Sequence, residues 1–134
     1  MTSRALKLFL MTGVVMLFMA GCVTQPIYTV DNAMIVSSTD KNLKLEDIKK
    51  AIIKAGSMRG WVIKEVEPGH LVGTLFARKH MAKVNINYDN KSYSITYADS
   101  ENLNYDGDMI HGSYNKWVKN LQRDIEVQLN ILTL

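Results

Sequence analysis

Residues 81–88, Met81-Ala82-Lys83-Val84-Asn85-Ile86-Asn87-Tyr88, decide the fold. Ala82, Val84, Ile86 and Tyr88 fall on one side, Lys83, Asn85 and Asn87 on the other. A period of two residues is the mark of a strand with one face buried and one face wet. The same pattern extends outward from this stretch. Downstream, Asp89-Asn90-Lys91 reads as a turn, and Tyr93, Ile95 and Tyr97 alternate with Ser92, Ser94 and Thr96. Upstream, Leu71, Gly73, Leu75 and Ala77 share one side of a strand over Leu71–Ala77. A further strand over Trp61–Glu67 is closed by the turn pair Pro68-Gly69. Arg78-Lys79-His80 contains no Gly, Pro, Asn or Asp, so it fits either a tight turn or part of one long bent strand. Short connections between successive strands predict an antiparallel meander.

Two helical patterns flank the meander. Leu45, Ile48, Ala51, Ile52 and Ala55 recur at three- and four-residue spacing and predict a helix over Leu43–Ala55. Glu46 and Asp47 suit its positive end. Lys44 falls at the N-cap, which it fills poorly because it cannot accept from free amides, and Gly56 is placed as the stop. From Ile110 onward Tyr114, Trp117, Val118, Leu121, Ile125, Leu129 and Leu132 make a continuous apolar stripe. Ser113 is the expected N-cap, and Lys116, Lys119, Gln122, Arg123 and Glu126 face away. Burying each large side chain of that stripe is worth about 1.5–3 kcal/mol. Before the first helix, Ile27–Val30 and Ala33–Val36 offer at least one edge strand around an Asp31-Asn32 bend, and Ser37–Asn42 is turn-like. Asp99–Asp108 is a polar loop with Leu103 and Tyr105 as anchors. The expected fold class is α+β: a four- to five-stranded antiparallel meander sheet with two helices packed on one face, in the order β-α-β-β-β-β-α.

The first residues, MTSRALKLFLMTGVVMLFMAGC, have a different character. Arg4 and Lys7 are followed by an apolar run from Leu8 to Met19 and by small residues before Cys22, the single cysteine. This is the layout of a secretory signal. The run of about twelve residues is too short to cross roughly 30 Å of hydrocarbon as a helix. The ending Met19-Ala20-Gly21-Cys22 resembles the lipobox of bacterial lipoproteins, although Met19 stands where Leu is usual. The resemblance implies a diacylglycerol on the Cys22 thiol, cleavage before it and acylation of the new amine. Residues 1–21 are then the signal peptide, 22–26 a lipidated tether and 27–134 a single domain. Several acyl chains anchor a protein durably. In enteric bacteria Asp after the cysteine favours the inner membrane. Val23 therefore implies the outer membrane, facing the periplasm.

The chain carries 16 Lys and Arg against 13 Asp and Glu, a net charge of +3. Without Arg4 and Lys7 the balance is close to neutral, and no basic patch tracks a phosphate backbone, so nucleic acid is not an expected partner. With Cys22 acylated no thiol is left for a disulfide, and stability must come from packing.

Chemistry-bearing residues are sparse. His70, His80 and His111 share no helix, and the meander puts His70 and His80 near opposite ends of a hairpin, so no metal site is expected. Neither a GxSxG elbow nor a phosphate loop is present, no cofactor is expected, and Asp106-Gly107-Asp108 reads as a turn. Asp99–Trp117, DSENLNYDGDMIHGSYNKW, mixes aromatic and amide side chains and offers a binding surface of Asn102, Tyr105, His111, Tyr114, Asn115 and Trp117. The competing reading is that its aromatics pack while its polar residues cap and turn. With Ala55-Gly56, Gly60-Trp61 and the Tyr93–Tyr97 strand, this stretch is similar to a family of small uncharacterised bacterial lipoproteins, which implies no activity and no catalytic residue. The expected function is a non-catalytic, membrane-anchored module that binds an envelope protein or glycan. One alternative is a carrier of a small apolar ligand between the sheet and the last helix. Another is a hydrolase using Ser100 and His111. The oligomeric state is open.

Overall fold

A computed structural model of the chain describes residues 23–36 and 42–134. The signal, Cys22 and the part of the polar turn at 37–41 lie outside the described residues. The order of elements is β1 (Thr24–Pro26), β2 (Val30–Met34), α1 (Leu45–Met58), β3 (Val62–Glu67), β4 (His70–Ala77), β5 (His80–Tyr88), β6 (Ser92–Glu101), β7 (Met109–His111) and α2 (Gly112–Leu132). The fold is α+β. A five-stranded antiparallel sheet runs β2-β6-β5-β4-β3, a two-stranded sheet joins β1 to β7, and the two helices pack against each other and on the sheet.

The alternation read in residues 81–88 sets the layering. Ala82, Val84, Ile86 and Tyr88 are buried under the helices with Leu71, Tyr93 and Ile95. Gly73 belongs to this inner face. A Cβ there would lie 3.3 Å from the Trp61 ring and 3.4 Å from Val84, so the glycine makes room for the indole. From α2, Tyr114, Val118, Leu121, Ile125 and Leu129 close the core, and α1 adds Ile48, Ala51, Ile52 and Ala55.

The ambiguous 78–80 stretch is a tight turn. Ala77 pairs with His80, and Arg78 takes the left-handed conformation at φ 56° that a two-residue hairpin requires. Three expectations are corrected. Gly56 does not stop α1, which runs on to Met58. Gly56 is a helical position pressed against Ile63 and Trp61, and the left-handed residue after the helix is Gly60, φ 84°. Asp31-Asn32 is not a bend between two strands but an irregularity within β2, with Asn32 at φ 48° while Val30 and Ala33 both pair with β6. The loop expected from Asp99 begins later. β6 continues to Glu101 because a bulge between Tyr97 and Asp99 lets Asp99 pair with Lys83 and Glu101 with Met81. The segment read as a tether, 22–26, holds β1 at Thr24–Pro26.

Candidate functional site

Residues 99–117 bring several of the predicted binding residues around the His80 ring. Asn102, at φ 57°, donates its Nδ2 to the Lys79 carbonyl at 2.5 Å, and its own carbonyl accepts from His80 Nδ1 at 2.7 Å. This fixes the loop to the β4–β5 turn. His111 stacks on His80 with ring centroids 6.1 Å apart, and Trp117 tilts against His80 at 6.3 Å. Tyr105 stacks on Tyr97 at 3.8 Å. Asp106 accepts from the amides of Met109 and Asp108 at 2.8 and 3.0 Å, and those donors hold its carboxyl below the usual range.

Two members of the predicted surface are not on the surface. Tyr114 is fully buried in the core, and Asn115 is 5% exposed. The stripe that packs α2 on the sheet is centred on Val118 and Ile125, and its phase turns both residues inward. Burial pushes the Tyr114 phenol up, and its hydroxyl meets no hydrogen-bond partner among the described residues. Tyr114→Phe is therefore expected to raise stability by about 1 kcal/mol, read as a higher melting temperature.

Ser113 is not the cap of α2. The cap is His111, whose Nδ1 accepts from the Ser113 amide at 3.1 Å. With Nδ1 used as an acceptor, the neutral ring carries its proton on Nε2. His111→Ala is expected to cost about 1 kcal/mol, and His111→Asp, which restores an acceptor at the positive end of the helix, to recover most of it. Thermal melts of the pair decide this. The Ser100 hydroxyl pairs with the Tyr97 hydroxyl at 2.8 Å, so the two residues weighed for hydrolysis have their hydrogen bonds elsewhere. His70 bonds Asn85 at 2.9 Å and opposes Asn87, at the other end of the hairpin from His80. Between sheet and α2, where a carried ligand would sit, Tyr93, Ile95, Tyr114, Val118, Leu121 and Ile125 are buried, and two hollows of about 270 and 280 Å³ open at the rims, the first lined by Tyr93, Glu126 and Leu129 and the second by Trp61, Leu75 and Trp117.

A larger concave surface is on the opposite face of the sheet, which no element among the described residues covers. A shallow groove of about 750 Å³ runs across β3 to β6, lined by the apolar Val62, Val72, Phe76 and Met81 and by the charged Lys64, Lys83, Asp99 and Glu101. Phe76 is 71% exposed and Val62 52%. The strand alternation assigned this face to water, yet Val72 and Phe76 stand on it. That break in the polar side of β4 is the signal that could have marked the groove.

Comparison of the chain with protein-family models, curated proteins and solved structures finds no match.

Proposed function

We propose that this protein is a non-catalytic, lipid-anchored module of the bacterial envelope whose open sheet face holds an extended segment of a partner protein. The observation that carries the reading is the groove over β3 to β6, where Phe76 and Val62 leave apolar area in water that a monomeric domain normally hides. Among the described residues β3 ends the sheet and has a strand neighbour on one side only. An incoming strand can add there through main-chain hydrogen bonds and set alternate side chains into the groove. The mixed charges on the walls, Lys64 and Lys83 against Asp99 and Glu101, favour a segment with both signs over a uniformly charged polymer. The lipobox at Met19–Cys22 supplies the address.

A photo-crosslinking residue at position 62 in intact cells tests this. A discrete adduct is expected there, absent from the same residue at the exposed Lys54 on α1. The adduct is expected to vanish with Phe76→Asp while the melting temperature holds. Equal labelling from 62 and 54 would remove the reading. The anchor is tested separately by incorporation of a fatty-acid analogue, which Cys22→Ser must abolish.

A further inference from the structure

We infer that the outward face of α2 lies flat on the membrane and that Lys116, Lys119 and Arg123 take the headgroups of anionic phospholipids there. This rests on the reading of Cys22 as the lipidated residue and goes beyond it, because it fixes which side of the domain meets the bilayer.

The Val23 carbonyl accepts from the Gly112 amide at 3.2 Å, and Thr24, Gln25 and Pro26 pair with His111, Ile110 and Met109. The chain is therefore fixed to the start of α2 within one residue of Cys22, about 3.8 Å from Cα to Cα. An acyl chain on Cys22 leaves the domain no leash, and the surface around Val23 and the first turns of α2 must meet the headgroups.

That surface suits them. Lys116, Lys119 and Arg123 recur at three- and four-residue spacing on one side of the helix. With Gln25 and Asn120 they line a hollow of about 450 Å³. Lys119 also reaches over the Tyr28 ring, Nζ to centroid 5.0 Å. The nearby carboxylates are engaged elsewhere: Asp124 bonds Arg59 from α1, and Glu126 accepts from Tyr93 and Gln122. Farther along the same side stand Val127 and Ile131, 51% and 52% exposed, and then Leu134 at 92%. A helix side that runs from cations to exposed aliphatics has the make-up of an interfacial helix, with cations at the phosphates and aliphatics at the acyl boundary. The open sheet face then points away from the bilayer, with its groove turned toward the periplasm.

The test uses the mature acylated protein. With Cys22 acylated, Asn120→Cys supplies the only free thiol, which is labelled with bimane. The protein is placed in phosphatidylcholine vesicles with and without phosphatidylglycerol, each with a headgroup-quenching lipid. Quenching at position 120 is expected to be several-fold stronger with phosphatidylglycerol, and to fall in high salt and in Lys116→Glu/Lys119→Glu/Arg123→Glu. A label at Lys64→Cys on the sheet face is expected to stay bright throughout. The salt arm repeats the test without touching the cations, so it stands even if the triple variant folds poorly. Protein that floats with the vesicles but shows position 120 no more quenched than position 64 overturns the inference and leaves the anchor intact. Protein that fails to float with phosphatidylcholine vesicles and carries a free Cys22 thiol overturns the anchor, and the inference with it.

Discussion

Leu121→Asp is expected to give a protein with no cooperative melt and no near-ultraviolet circular dichroism. Leu121 is fully buried at the middle of the α2 stripe, between Val118 and Ile125 and over the inner face of the sheet. Removing a buried leucine side chain costs about 2–5 kcal/mol. Placing a carboxylate there adds the cost of burying a charge without a partner, several kcal/mol more. A domain of this kind holds roughly 5–15 kcal/mol in total, and with a single cysteine no disulfide within the chain could compensate. Trp117→Ala provides the contrast. The sequence pattern put Trp117 in the same stripe, but the structure leaves it half-buried at the rim, against His80 and across from Trp61 and Leu75. It is expected to lower the melting temperature while the transition stays cooperative. A cooperative melt of Leu121→Asp near that of the parent would show that α2 is not the lid of the core.

Where the burial pattern is periodic and the element long, the fold was legible. Ala82, Val84, Ile86 and Tyr88 named the inner face of β5 because each has a polar neighbour in sequence. The stripe of α2 named its packing side because it repeats over many turns. Legibility failed where structure depends on a partner distant in sequence. β1 and β7 have three residues each, too few for a period, and they exist because they pair with each other. Gly56 has the local marks of a helix stop, but its role is set by Ile63 and Trp61, which come later in the chain and fold back over it. His111 and Ser113 can both cap a helix, and the choice falls on His111 because β7 runs up to it, paired with Thr24, and α2 starts at the next residue. In the predicted binding surface, Asn115 is polar, and composition alone places a polar helical residue outside. Its burial depends on what lies across from it.

What lies across from Asn115 is the N-terminal segment, and Asn115→Ala is expected to loosen it. The Asn115 Oδ1 accepts from the Tyr28 amide at 2.8 Å, and its Nδ2 donates to the Pro26 carbonyl at 2.9 Å and to Gln25 at 3.4 Å. One side chain therefore serves both kinds of main-chain group on residues 26–28, as a neighbouring strand would. Removing it takes the partner from a part-buried donor and a part-buried acceptor, at about 0.5–1.5 kcal/mol for each hydrogen bond, so a loss of about 1–3 kcal/mol is expected. Faster hydrogen exchange at the Tyr28 amide should accompany it. Asn115→Asp should not rescue, because it keeps the acceptor for Tyr28 but turns an oxygen toward the Pro26 carbonyl. The consequence reaches the membrane face. With residues 23–28 released, the stretch from Cys22 to Tyr28 could extend up to roughly 20 Å. Lipidated Asn115→Ala would then lift off the bilayer, and a bimane at position 120 would brighten although Lys116, Lys119 and Arg123 are intact. If the amide at Tyr28 stays protected and the melting temperature is unchanged, residues 23–28 are held by something other than Asn115, and the short leash loses its clamp.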